Sequence, residues 1–341
     1  MGEMDQLKQD LEKNFGFQIG TWDVIKHIKN SSFVARVVTK EGITYALKSL
    51  YVKPERQIFI AQSESLLSQR GVKLALPIST LNGDLYMISN RVPYVLYQWI
   101  EGKGSRLHDR NDLESIVQVM GRLHNASREL QYPESIKIYN HLNWKKEYKQ
   151  RIKSIESWFN KHKESSNEKD VIINNNISFF YKMGKKALKE LQKSRYQDFM
   201  KELISAKSLV HGDLHHRNLI YKDNTLTLID FEDIRYDLPS KDLLRIYSMY
   251  TKKNPFEKKT FRSMMKIYTK NNPLPSDVKS IVSIDLFFPH IFERMLRKKK
   301  YSRMNNDQLR FTIQQEKEKA LYVYNHYFKK QRNKERGDKI D

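Results

Sequence analysis

The sequence predicts an α+β protein in which a sheet-forming N-terminal part precedes a larger, mainly helical part. Three observations carry that expectation. Short runs of β-branched and aromatic residues cluster before residue 100. Beyond residue 104, apolar residues recur at helical spacing in one segment after another. Residues 209–233 then read as a polar loop and a short hairpin that gather Asp213, Asn218 and Asp230 into one compact stretch.

Residues 3–15 predict a short helix with Leu7, Leu11 and Phe15 on one face. Strands are expected at 22–25, 33–38 and 43–48, with Glu41-Gly42 turning the second into the third. A helix follows Pro54 and places Gln57, Ile60, Glu64 and Leu67 on successive turns. After 74–78, a hairpin is expected around Asn82-Gly83-Asp84, and an apolar strand over 93–100 runs into Glu101-Gly102. Asn111 or Asp112 is placed to cap a helix carrying Leu113, Ile116, Val117, Met120, Leu123 and His124, the histidine reading as a packed core residue.

Residues 141–205 read as mostly helical and very basic. Trp144, Tyr148, Ile152, Ile155 and Phe159 form one apolar stripe, 165–168 breaks it, and Ile177, Phe180, Met183, Ala187 and Leu191 resume it. From Ser240 onward helices are expected at 243–250, 256–269, 277–296 and 306–328, with Pro273 and Pro275 at a joint. The last dozen residues are charged and expected to be mobile.

Composition narrows the chemistry. With 341 residues, 39% hydrophobic and 30% charged, the chain can build sizeable cores. It has no cysteine, which removes disulfides, thiolate zinc sites and cysteine nucleophiles. The N-terminus lacks a basic region followed by an apolar core, and no apolar run reaches membrane-spanning length, so a soluble, unexported protein is expected. Lys and Arg number 62 against 40 Asp and Glu, a formal charge of +22 that attracts polyanions. Solvated lysine-rich helices account for that charge more simply than a dedicated polyanion site. Zinc-finger spacing and helix-turn-helix patterns are absent, so no specific nucleic acid partner is expected.

The loop and hairpin carry the most specific signal. Leu209-Val210 leads into His211-Gly212-Asp213-Leu214-His215-His216-Arg217-Asn218, and apolar runs flank the turn residues Lys222-Asp223-Asn224. Phosphoryl transfer needs this set of groups. One carboxylate orients and deprotonates an attacking hydroxyl, while an amide oxygen and a second carboxylate hold Mg²⁺ against nucleotide phosphates. Asp213 and Asn218 stand at the spacing of the kinase pattern D-L-x-x-x-N, with Asp230 at the following strand end. An Asp- and Asn-rich turn between buried strands is the plainer reading of the same residues, and the combination of spacing, strand context and Asp230 favours phosphotransfer. His215 and His216 do not read as a metal pair, because adjacent side chains diverge and no third soft ligand accompanies them. Arg217 is open to a local salt bridge or an anionic substrate.

His211-Gly212-Asp213, Asn218 and Ile229-Asp230-Phe231 together resemble the aminoglycoside phosphotransferase and choline kinase group, within the protein-kinase-like fold. Residues 231–243 are similar to the CotS family of spore coat proteins. The resemblance implies a bilobal protein-kinase-like fold. A small nucleotide-binding lobe at 1–97, an antiparallel sheet plus helix, is followed by a hinge at 98–103. A large, mainly helical lobe at 104–341 carries the catalytic loop 211–218 and the metal-binding strand end 228–233.

ATP and Mg²⁺ are the implied cofactors. Asp213 is the implied catalytic group, and Asn218 and Asp230 are the implied metal ligands. Lys48 would contact the α- and β-phosphates, with Ala46 against the adenine and Glu64 holding Lys48 forward, Glu55 being also available. The Gln98 carbonyl and Ile100 amide would face the adenine edge. His211 would brace the loop, and Asp242 would cap the next helix or anchor the loop. Two departures stand out. The first turn, 28–33, has no glycine and offers Ser31 and Ser32 hydroxyls instead. Glu232 replaces the glycine of D-F-G, so activation-loop switching is not expected.

The implied function is transfer of the γ-phosphate of ATP to a hydroxyl-bearing acceptor, with the acceptor site shaped by the helical region 141–205. The expected setting is the mother-cell cytoplasm of a spore-forming bacterium, with deposition in the spore coat. Other spore coat proteins or an acidic polysaccharide are the implied partners, with no membrane span. The alternative is a catalytically inactive kinase-fold scaffold of the spore coat. Asp213, Asn218 and Asp230 argue against it, since a scaffold has no physical need for all three.

Overall fold

A computed structural model of the protein describes residues 2–49, 52–140, 143–201 and 207–328, which form two compact units interleaved along the sequence. The first takes in 1–106, 122–140 and 209–236, and the second 107–121, 141–208 and 237–341.

In the first unit, α1 (Glu3–Phe15) precedes β1 (Ile19–Ile28), β2 (Ser32–Thr39) and β3 (Thr44–Ser49). Helix α2 (Pro54–Gln69), β4 (Met87–Ser89) and β5 (Val92–Gln98) follow. The strands form an antiparallel sheet in the order β1-β2-β3-β5-β4. Because side chains alternate along a strand, the sheet sorts its residues into two layers. Phe33, Ala35 and Val37 of β2, Leu47 of β3 and Leu96 of β5 are buried with Leu7 and Leu11 of α1 in one core. Each of the Phe, Val and Leu side chains contributes about 1.5–3 kcal/mol relative to exposure. Their neighbours Val34, Ala46, Lys48 and Tyr97 belong to the opposite face, where register sets Lys48 across from Val34 and Val95, and Ala46 across from Tyr97.

Gly83 turns the chain at a φ of +88°, donating to the Thr80 carbonyl, but strands do not flank it. The hairpin instead lies at Asn90-Arg91, both left-handed, between β4 and β5. Asn-Gly-Asp signals a turn whether or not apolar alternation continues on both sides, and Leu81 beside it is 71% exposed.

Two smaller sheets complete the unit. β6 (Lys103–Gly104), β8 (Leu219–Lys222) and β9 (Thr225–Leu228) form one, with Asp223 and Asn224 both left-handed in the β8–β9 turn. β7 (Ser208–Val210) pairs with β10 (Arg235–Asp237) in the other. The loop 211–218 and the strand end 228–233 therefore lie in the same unit as the five-stranded sheet.

The second unit is helical. α3 (Arg110–Ala126) gives it its residues up to Gly121. Its cap is Asp109, whose carboxylate accepts from the Asp112 N–H, and the side chain of Asp112 reaches back to the His108 N–H. The helix thus starts before Asn111, and neither Asn111 nor Asp112 caps it. α4 (Trp144–His162) and α5 (Glu168–Lys193) are capped by Asn143 and Asn167. Trp158, not Phe159, completes the buried stripe of α4, and Phe159 is 38% exposed. α6 (Tyr196–Lys201), α7 (Ser240–Tyr250) and α8 (Lys258–Asn271) precede a break that the sequence reading missed. The expected helix 277–296 is two, α9 (Ser276–Phe287) and α10 (His290–Arg297). Pro289 lacks an N–H, and its ring would meet the carbonyl four residues back. α11 (Asn306–Val323) ends the regular helices and passes into a wider turn over Tyr324–Phe328. The charged last dozen residues lie outside the described residues, as do 202–206 of the basic region.

A buried polar centre ties α4, α7, α9 and α10 together. The Asp285 carboxylate accepts from Tyr148 (2.6 Å), His290 Nε2 (2.7 Å) and Ser240, and pairs with Lys241 at 3.5 Å. The Lys241 ammonium also lies over the Trp144 ring. His290 donates to Asp285 through Nε2 and accepts from Arg151 at Nδ1, so the ring is neutral. Burial, together with the Lys241 and Arg151 cations, pushes its pKa down to about 3.

This lowering sets an acid limit on stability. The unfolded chain takes up the His290 proton near pH 6.5 while the folded chain resists it, so the histidine's contribution to stability falls as pH drops below 6.5. Asp285, held below the ordinary carboxylate range, adds to the loss only below about pH 4. Between pH 7 and pH 5 the histidine accounts for about 2 kcal/mol. Thermal unfolding of wild type and His290→Gln at both values checks this: the stability of wild type relative to the variant should be lower at pH 5 than at pH 7 by about that amount.

Candidate active site

The β8–β9 hairpin joins the loop to the strand end. Leu219 pairs with Leu228, the Ile229 N–H donates to the Asn218 carbonyl (3.0 Å), and the Asn218 side chain donates through Nδ2 to the Asp213 carbonyl (3.2 Å). Asn218 and Asp230 are thereby held at one end of the hairpin. His211 is fully buried, donates through Nε2 to the Ile229 carbonyl (3.0 Å) and packs its ring 4.7 Å from that of Phe231. Asp230 itself is left-handed, with φ of 69°, a conformation that a non-glycine residue keeps only where its surroundings impose it.

Gly212 adopts a φ of +83°, and a Cβ there would meet the Asp233 carbonyl oxygen at 2.5 Å and Arg235 Nη1 at 2.8 Å. Both strain and collision therefore oppose any side chain immediately before Asp213. Gly212→Ala should lower stability by about 1–3 kcal/mol, read from denaturant unfolding, and lower activity more than stability because the loop must shift.

Lys48 sits within this framework. Its ammonium pairs with Asp230 and, at 2.7 Å, with Glu232. Burial works against the lysine's charge, but the two carboxylates more than offset it and raise its pKa. Asp230 falls below the ordinary range because Lys48 outweighs its burial, whereas Glu232 rises through burial and the charge of Asp230.

Glu64, expected to hold Lys48, instead accepts a hydrogen bond from the Tyr97 hydroxyl at 2.9 Å. It is 2% exposed, and burial pushes its pKa up to about 8 despite the Tyr97 hydrogen bond and the Lys48 charge. The cause is depth: a carboxylate one layer inside the sheet and α2 loses hydration that a lysine shared with two other carboxylates does not replace. Because the folded form holds this proton and the unfolded form releases it near 4.5, the Glu64 contribution to stability falls as pH rises from 4.5 to 8, opposing that of His290. Relative to wild type, Glu64→Gln should therefore gain stability as pH rises from 5 to 7.5, and thermal unfolding of the two proteins across that range measures it.

A cavity of about 400 Å³ brings the predicted groups together. Lys48, Glu64, Gln98, Ile100 and Asp230 all line it, with Ala46 also on its wall. Its remaining surface is mostly apolar, as a nucleotide base requires. Asp213 and Asn218 are not part of that lining, and Asn218 is tied to the Asp230 end through the hairpin. Sequence reasoning missed Tyr97 and the pairing role of Glu232. Strand alternation, which puts Tyr97 on the face opposite the core residue Leu96, and the carboxylate two residues after Asp230 were the signals for them. Arg217 is exposed, and Glu55 has no place in the lining. α7 begins at Ser240 without a side-chain cap, and Asp242 is buried in its first turn.

The donor set suits a hard cation. Asn218 commits its nitrogen to the Asp213 carbonyl and so offers its oxygen, and the hairpin ties it to the end that carries the Asp230 carboxylate. Among the described residues, no group of three or more His, Asp or Glu side chains forms a metal cluster by itself. An ion here would need the phosphates of a nucleotide to complete its shell.

Known proteins resemble the chain in sequence and in fold. It is 27% identical over 273 residues to spore coat protein S of Bacillus subtilis (strain 168), covering 79% of this chain and 77% of that protein. Among solved structures, an aminoglycoside phosphotransferase from Alicyclobacillus acidocaldarius matches with a TM-score of 0.70 at 14% identity over 92% of each chain. A spectinomycin phosphotransferase in complex with ADP and spectinomycin matches at 0.60 and 16% identity, covering 94% of this chain and 97% of that one. An amicoumacin kinase in complex with AMP-PNP and Ca²⁺ matches at 0.59 and 16% identity, covering 94% and 93%. The fold is therefore the expected protein-kinase-like one, with an antiparallel sheet in the N-terminal part and helices dominating the rest. The sequence matches the phosphotransferase enzyme family over residues 31–261, more than half its length, and the chain belongs to that family.

Proposed function

We propose that the protein transfers the γ-phosphate of ATP, with Mg²⁺, to a hydroxyl-bearing acceptor. The observation that carries this reading is the meeting of Lys48, Asp230 and Glu232 in one cavity whose apolar wall includes Ala46 and Ile100. The ADP and AMP-PNP bound by the two solved relatives favour the same kind of ligand. Lys48 would contact the phosphates, while the Gln98 carbonyl and Ile100 amide would face the base. Residues 1–97 would then supply most of the nucleotide site and 98–103 the connector.

Asn218 and Asp230 would hold Mg²⁺, which would supply charge neutralisation to the nucleotide phosphates. Asp213 orients the acceptor hydroxyl and takes its proton as the oxygen bonds to the γ-phosphorus and ADP departs. Catalysis comes mainly from positioning and charge neutralisation. Glu64 remains a part of the rear wall.

The spore coat name of the sequence relative favours a spore setting, with synthesis in the mother cell and deposition in the coat. The acceptor would be a small alcohol or amino sugar, a coat polysaccharide or a protein hydroxyl. The charge of +22 would draw the protein to acidic coat proteins or polysaccharide. The same relative gives the second reading its one support: an inactive scaffold would share the fold and the surface.

Calorimetric titration with ATP, with and without Mg²⁺, separates the two. Magnesium-dependent binding is expected, weakened at least about tenfold in Asp230→Ala. Asp213→Asn should keep binding and lose phosphate transfer by about 10²-fold or more. A folded wild-type protein that ignores millimolar ATP would leave the scaffold.

A further inference from the structure

We propose that Glu232, rather than Glu64, is the carboxylate that positions Lys48 for phosphate contact, with the hydrogen-bonded Glu64–Tyr97 pair serving as a strut behind it. This rests on the nucleotide reading of the cavity and assigns a role within it.

A lysine ammonium has three N–H groups. At Lys48 one goes to Asp230 and one to Glu232, which leaves one for a phosphate oxygen. The Lys48 side chain is 18% exposed, so it needs a charged partner whenever Asp230 turns to another ligand. Glu232, at 2.7 Å, is that partner.

Glu64 is unsuited to the task. Its carboxyl is buried and already accepts from Tyr97 at 2.9 Å. The raised pKa agrees, since a carboxyl that keeps its proton at neutral pH offers the lysine no full charge. Glu232 is also held in place from outside the loop. Its carbonyl accepts from Arg56 Nη2 at 2.7 Å, and that guanidinium rests over the rings of Tyr139 (4.8 Å) and Phe59 (5.5 Å). Helix α2 thus reaches Lys48 through Arg56 and the backbone of Glu232 instead of through its own glutamate.

Two double-mutant cycles on AMP-PNP affinity test the assignment, one pairing Lys48→Met with Glu232→Gln and one pairing it with Glu64→Gln. Titrations are run in Mg²⁺ and again in EDTA. Glu232→Gln should weaken binding about tenfold when Lys48 is present and less than about twofold when it is absent, in both buffers. The Glu64→Gln and Lys48→Met effects should add. Glu232→Asp, which keeps the charge, should recover part of the loss. Additive effects at Glu232 with coupling at Glu64 would overturn the proposal. So would a Glu232 effect confined to the Mg²⁺ titrations, which would mark a metal ligand. If wild type binds no AMP-PNP, the nucleotide reading falls and this assignment with it. Binding by wild type with the wrong coupling removes only the assignment.

Discussion

The site is organised by the requirement that a buried ammonium keep a counter-charge. Lys48 reaches the inner face of the sheet because alternation along β3 puts Leu47 into the core and its neighbours on the other side. Left alone there, its charge would cost several kcal/mol. Asp230 and Glu232 remove that cost, and they can do so only because the β8–β9 hairpin and the left-handed Asp230 deliver both carboxylates to one point. The sheet, the hairpin and the loop before it are thus constrained together.

Much of this was legible in the sequence because the signals were local. Spacing from Asp213 to Asn218, the Asp-Asn turn and the strand ending at Asp230 each depend on a few consecutive residues, and the backbone geometry follows them. The helix over residues 3–15 and the strand carrying Lys48 were equally local, set by amphipathic periods of 3.6 and 2. What sequence could not rank was competition between partners at a distance. Glu64 and Glu232 are 168 positions apart by their numbering, and only the depth of each decides which one faces Lys48. Phe159 and Trp158 pose the same problem one residue apart, where a small rotation of α4 selects the buried ring. Pro289 differs, since its signal was present and was outweighed by the apolar period around it.

The second unit shows why clustering alone does not define a reactive site. Asp285 and Asp230 are both carboxylates beside a lysine and a histidine-bearing segment. Asp285 is 0% exposed and saturated by Tyr148, Ser240, His290 and Lys241. A ligand reaching it would have to displace those donors, and burial leaves no path for one. Asp230 and Glu232 keep 36% and 37% of their side-chain surface exposed and border a cavity. Equal chemistry therefore has opposite consequences: saturation makes Asp285 a rivet between helices, while the incomplete shell around Lys48 leaves donors and acceptors that a phosphate and its cation can complete.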